Sequence, residues 1–280
     1  MFTIVKYSFK EMFNKKALIL VLLLTVAYLL LYGFGVREVY SHGNTKSFYF
    51  MMMVSQLISV GLYFGGFIIA FLVALSSVGA ISGDIENGAM QAILVKPLKR
   101  WEVVMGKFLG IGAMIALYSA AFYTAVITLN KIFGATLRIP LSNLVEGALL
   151  FVLGPIILLS VALWGSSRLS TLNTGILVVM LYGFAMVGGM MEQFGSMMKA
   201  AGEQSQGLIN VGIISSLIMP TDVISRKMNS VLFSFGGTNF LSGSPFGAAS
   251  EPSIWMMIYI GIYMVVMLYM AISYFNRRDI

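Results

Sequence analysis

The sequence predicts an all-α integral membrane protein with six transmembrane helices, on three observations. Hydrophobic residues make up 59% of the 280, and Asp, Glu, Lys and Arg together only 10%, against roughly 25% charged residues in a soluble domain. A soluble globule of that balance would expose more apolar surface than water tolerates, whereas hydrocarbon accepts it. Six apolar runs reach the roughly 20 residues that cross a bilayer core as a helix. The basic residues, finally, fall unevenly between those runs.

The runs are Ala17–Val36, Leu57–Ile81, Val103–Leu129, Leu144–Trp164, Thr174–Met191 and Ser253–Phe275. A seventh, Gly207–Met219, has thirteen residues before Pro220, which suits a re-entrant or interfacial segment better than a crossing. The whole chain, 1–280, reads as one transmembrane domain with a loop at 82–102 and a long outer segment at 192–252. The six runs are expected to hold no ionisable side chain within the membrane. Such groups mark proton relays and ion-coupled pathways, so their absence argues against a proton-driven carrier.

With an inside N-terminus, six spans place Lys6, Lys10, Lys15, Lys16, Lys96, Lys99, Arg100, Lys107, Arg168, Arg277 and Arg278 on the inner side. Arg37, Lys46, Lys131, Arg138, Lys199, Arg226 and Lys227 fall outside. Eleven of the eighteen are therefore inside, which puts both termini in the cytoplasm. The net charge of +7 reads as orientation and contact with anionic lipid rather than nucleic-acid binding.

Within Phe2–Phe13, the residues Phe2, Val5, Phe9 and Met12 recur at helical spacing while Lys6 and Lys10 share another face. That pattern predicts a short amphipathic helix in the cytoplasmic interface. The apolar run after it is too long for a secretory core and no A-x-A-like site follows, so it is expected to be retained.

The chain has no Cys and a single His, His42. Disulfides, Cys-ligated zinc, iron–sulfur clusters, thiol nucleophiles and histidine metal dyads are excluded together. No H-E-x-x-H is present for intramembrane hydrolysis. A P-loop needs G-x-x-x-x-G-K-[ST], but the one Gly-Lys pair, Gly106-Lys107, precedes Phe108. The chain is expected to be non-catalytic and to bind no cofactor or metal. A powered transporter would need a partner subunit on the cytoplasmic face.

The loop between the second and third runs suits such docking. Asn87-Gly88 predicts a helix end, and Ala89–Val95 spans about two helical turns. Pro97 stops those turns and can open the next helix, with Lys99, Arg100 and Lys107 flanking it and Trp101 at interfacial depth. The result is a cytoplasmic helix able to pass force to two spans.

Glu86-Asn87-Gly88, Leu94, Pro97, Arg100 and Gly106-Lys107 resemble the E-x-G-T…L-L-x-x-P-x-S-R…G-K signature of permease subunits of type-2 ATP-binding-cassette (ABC) exporters. Ala89 stands where Thr is usual and Lys99 where Ser is usual, changes that leave the helix and its proline break intact. The resemblance extends over the whole chain: a basic interfacial helix, six spans and a long outer segment. It implies outward movement of a substrate, two copies of a separate ATPase that binds ATP and Mg, and a second permease protomer, identical or related. It further implies that this loop is the coupling helix, with Asp84, Glu86, Gly88, Leu94, Pro97, Arg100 and Lys107 as docking candidates. Two readings stay beside it: a nonpowered scaffold or sensor using the same loop, and a sodium-coupled carrier.

In the outer segment, Gly202–Gly207 predicts a turn, and Pro220-Thr221-Asp222 can end one helix and cap another that carries Arg226 and Lys227. Gly236-Gly237, Gly243-Ser244-Pro245 and Gly247 mark a flexible stretch. Gly61, Gly65 and Gly66, and Gly183, Gly188 and Gly189, suit close helix packing. The 21 Met residues show no regular ligand spacing and read as apolar filling.

Overall fold

The computed structural model describes residues 2–42, 48–94, 99–133, 139–202, 205–235, 238–239 and 251–278. The helices in chain order are α1 (Phe2–Asn14), α2 (Lys16–His42), α3 (Phe48–Ser77), α4 (Ser82–Glu86), α5 (Ala89–Leu94), α6 (Arg100–Ile132), α7 (Leu141–Arg168), α8 (Thr171–Ala200), α9 (Gln206–Ile218), α10 (Thr221–Phe233) and α11 (Ile254–Arg277). A two-residue antiparallel ladder, β1 (Ser234–Phe235) with β2 (Thr238–Asn239), follows α10.

Six of these helices, α2, α3, α6, α7, α8 and α11, are long and apolar enough to cross a membrane. Even α11, with 24 residues, reaches about 36 Å at 1.5 Å per residue. The thirteen-residue run before Pro220 forms α9, and α9 and α10 make a bent pair at 106°. The predicted turn at 202 is present, with Gly202 at φ +88° just past the end of α8. The glycine-rich stretch from Gly236 onward lies almost wholly outside the described residues.

Helix α7 is the hub, packed against α3, α6, α8, α10 and α11. Its residues Ile157–Leu163 are buried on every side, as a helix apolar all round must be. Small residues set the spacing. A Cβ on Gly65 would lie 2.0 Å from the Phe122 ring, so α3 meets α6 at van der Waals distance only because none exists. Gly110 likewise admits the backbone of α1, its missing Cβ lying 2.6 Å from the Val5 carbonyl.

Of the four apolar positions read in α1, Met12 is buried, Val5 and Phe9 are half-buried beside the buried Ser8, and Phe2 is 90% exposed. Two expectations need correction. The six apolar runs do enclose ionisable groups: Lys107 and Glu146 lie near their ends, and α8 runs on past Met191 through a buried Glu192. Finally, Lys107 and Arg226 are both 4% exposed and not free loop charges.

Candidate functional site

Two polar clusters lie at opposite ends of the bundle. The first gathers around α4 and α5. Helix α4 starts without the intrahelical partners its first N–H groups need, and Ser166 at the end of α7 supplies one: its Oγ accepts from Ile81 N at 3.0 Å and Ser82 N at 2.9 Å. The other end closes at Asn87, and Gly88 takes the left-handed φ of +71° that a side chain would resist. Glu86 then crosses to the start of α8. Its carboxylate accepts from Thr171 N and Thr171 Oγ1, each at 2.9 Å. A negative group at a helix N-terminus meets unpaired amides and the positive end of the dipole. The Thr171 backbone bond, then its hydroxyl bond, hold the exposed Glu86 carboxyl below its ordinary range.

Lys107 reaches back from the second turn of α6. Its buried ammonium donates to the Ala80 carbonyl and pairs with Asp84. Arg100, the first residue of α6, donates through one nitrogen to the carbonyls of Phe275 (3.1 Å), Asn276 (3.1 Å) and Arg278 (2.7 Å). It thereby ties the start of α6 to the C-terminal end of α11, where the Phe275 carbonyl also accepts from Arg278 N at 3.4 Å. Arg278 in turn donates to Ser167 O at 3.1 Å, and Arg168 sits 5.0 Å above the Tyr274 ring. Lys15, between α1 and α2, donates to Ser76 O at 3.1 Å and pairs with Glu11 at 3.3 Å. Side chains thus lock the ends of α3, α7 and α11 to the starts of α2, α6 and α8, with α4 between them.

The second cluster lies about 30 Å along α8 from Thr171, twenty-one residues at 1.5 Å each. Arg226 of α10 pairs with Glu192 of α8, lies 2.9 Å from Asp222 one turn earlier, and donates to Ser216 Oγ of α9 at 3.3 Å. All three charged side chains are more than nine-tenths buried. Glycines let the pieces meet. A Cβ on Gly189 would lie 2.0 Å from the Asp222 carboxyl carbon, and one on Gly212 would lie 2.3 Å from Glu192 Cβ. Gly188 and Gly189 therefore face α9 and α10, not lipid, whereas Gly183 has open space beside it.

A model of the ABC-2 family transporter proteins matches residues 3–280. The chain belongs to that family. It is the permease component of an ABC transporter, a multi-pass membrane subunit without catalytic activity, and the ATPase of such a transporter is a separate subunit. A search of curated proteins returned no match.

In this ABC-2 permease the signature residues fall into two groups. Asp84, Glu86, Arg100 and Lys107 tie helices together, Lys107 from a buried position and Glu86 from the exposed surface, while Asn87, Gly88 and Ala89 are exposed where α4 gives way to α5. Leu94 ends α5, and Pro97 lies outside the described residues. Lys6, Lys10 and Lys16 are exposed along α1 and at the start of α2, with Lys15 half-buried. Pro220 sits buried at the α9–α10 bend, immediately before the turn that carries Asp222. Among the described residues no three His, Asp or Glu side chains converge as a metal-holding group. Sequence reasoning missed Ser166, Thr171 and Arg278, and it did not join Glu192 to Asp222 and Arg226. Only the Asp222–Arg226 spacing of four carried a signal, since such a pair shares one helix face.

Proposed function

We propose that this permease moves a substrate outward across the cytoplasmic membrane, driven by ATP hydrolysed in two separate ATPase subunits that dock on the α4–α5 end. In this reading both termini and the α4–α5 turn are cytoplasmic, two permease protomers form the membrane unit, and ATP and Mg belong to the ATPases. One observation carries it: the exposed turn at 86–89 is bonded through Glu86 to α8 and through Asp84 to α6. A push on that surface reaches the starts of two spanning helices without an intervening flexible segment. The exposed lysines of α1 suit anionic headgroups at the same face.

The test is substrate-stimulated ATPase activity of the reconstituted complex. Ala92→Pro removes a helical hydrogen bond and clashes with the preceding turn, locally about 3 kcal/mol, and should lower stimulation while membrane insertion stays normal. Glu86→Ala should do the same by freeing α8. Unchanged coupling in both variants moves the docking surface elsewhere. A reporter after Ile280 should be cytoplasmic and one near Gly202 external; Gly202 on the cytoplasmic side would overturn the orientation.

A further inference from the structure

Lys99, Arg100, Arg168, Arg277 and Arg278 gather at the α4–α5 end, on the side where Glu86 meets Thr171. Arg100 and Arg278 are half-buried and bond to backbone, Arg100 at the end of α11 and Arg278 at the Ser167 carbonyl. Lys99, Arg168 and Arg277 are exposed. Arg168 sits 5.0 Å above the Tyr274 ring, and among the described residues its N–H groups, like those of Arg277, donate no hydrogen bond. The described carboxylates of this end are already engaged: Glu86 by Thr171, Glu102 by the Lys99 amide at 3.1 Å, and Asp84 by Lys107.

Arg168 emerges inside the bundle. The last turn of α7 is enclosed by its neighbours: Ser166 bonds to Ser82 of α4, the Ser167 carbonyl accepts from Arg278 just past α11, and a Cβ on Gly165 would lie 3.0 Å from Thr174 of α8. Ser166 and Ser167 are buried, yet the next residue, Arg168, is exposed. A helix surrounded in this way ends away from the lipid perimeter. Its terminal guanidinium therefore faces what covers the end of the bundle rather than the headgroups around it.

We infer that Lys99, Arg168 and Arg277 receive a cluster of Asp and Glu side chains on the ATPase subunit, beside the exposed turn at 87–89. The inference rests on the proposed docking at this end and adds the chemistry of the partner surface. A guanidinium with unused donors matches a carboxylate through two parallel hydrogen bonds, and the Tyr274 ring backs that of Arg168. An apolar partner surface would strand these charges, and a basic one would be repelled. Single exposed pairs contribute little, so the three cations act as a group. They also steer an acidic partner towards the turn before contact, an attraction that salt weakens.

The experiment is binding of the purified ATPase subunit of this transporter to the full chain in phosphatidylcholine nanodiscs, followed by biolayer interferometry as salt is varied. Raising salt from about 50 to about 300 mM should weaken wild-type binding at least about fivefold. Arg168→Gln combined with Arg277→Gln should weaken it at least about fivefold at the lower salt and flatten the salt dependence. Arg168→Lys combined with Arg277→Lys keeps both charges and should retain that dependence. Thermal unfolding checks that each variant is folded, and Ala92→Pro should weaken binding while leaving the salt dependence steep. If Ala92→Pro weakens binding but neither salt nor the Gln pair does, the inference is overturned and the docking reading stands. If the wild type does not bind the ATPase, the docking reading falls and the inference with it. Effects of salt and of the Gln pair that arise only in phosphatidylglycerol nanodiscs would assign the patch to lipid and equally overturn it.

Discussion

The two polar ends of this permease solve different problems. At the α4–α5 end, side chains mostly bond to backbone: Arg100 to three carbonyls, Glu86 to the Thr171 amide, Ser166 to two amides and Lys107 to Ala80. These are helix ends being capped, and each bond fixes one helix terminus to another element. At the α9–α10 end, charge meets charge inside the fold, with Arg226 between Glu192 and Asp222. Capping tolerates water and can be adjusted one bond at a time. A buried ion cluster tolerates neither, because losing one member leaves another uncompensated. The first end is therefore suited to receiving and relaying movement, and the second to holding a bent helix pair rigid against α8.

The largest expected effect breaks the ion cluster. Arg226→Leu removes the guanidinium paired with the buried Glu192 and Asp222 carboxylates and should cost about 3–5 kcal/mol, read as a lowered midpoint of thermal unfolding in detergent. A loss under 1 kcal/mol would show that the two ends do not differ as described. Gly212→Ala sharpens the same side, since the new Cβ would press on Glu192 and on the Gly188 carbonyl. About 1–3 kcal/mol of overpacking is expected, and no change in unfolding would mean that α9 has room to shift.

At the other end, Lys107→Met leaves the Ala80 carbonyl and Asp84 without their buried donor. Asp84 keeps some access to water, so about 1–3 kcal/mol is expected, together with weaker ATPase coupling. Glu86→Ala sits last in stability, as its carboxylate is exposed. Its unfolding midpoint should move less than that of Lys107→Met, while hydrogen exchange at the start of α8 should rise. Unaltered exchange there would detach Glu86 from the relay.

Much of this was legible in one dimension because the bilayer imposes local rules. A spanning helix needs a contiguous apolar run, so each of the six runs falls on a long helix, with most ends within six residues but α3 starting nine residues before its run and α8 ending nine residues after its own. Asn87-Gly88 and Pro220 marked helix ends for local steric reasons, and both stand at ends. The signature residues gather at one end of the molecule, but their sequence spacing held no sign that Arg100 bonds to the end of a helix 175 residues away.

The amino-acid sequence alone carries the class, six runs long enough to span, the short segment ended by Pro220 before the last of them and the family. Those properties follow from composition, run length and motif, which are additive along the chain. The packing of helix on helix sets which face of α1 is buried, where Lys107 and Arg226 point, and that Glu192 meets α10. Each depends on a neighbour supplied by another helix, and pairing between distant residues leaves no periodic trace in either one. Gly189 is the plainest case, an apolar-run glycine in sequence whose missing side chain is the space that Asp222 occupies.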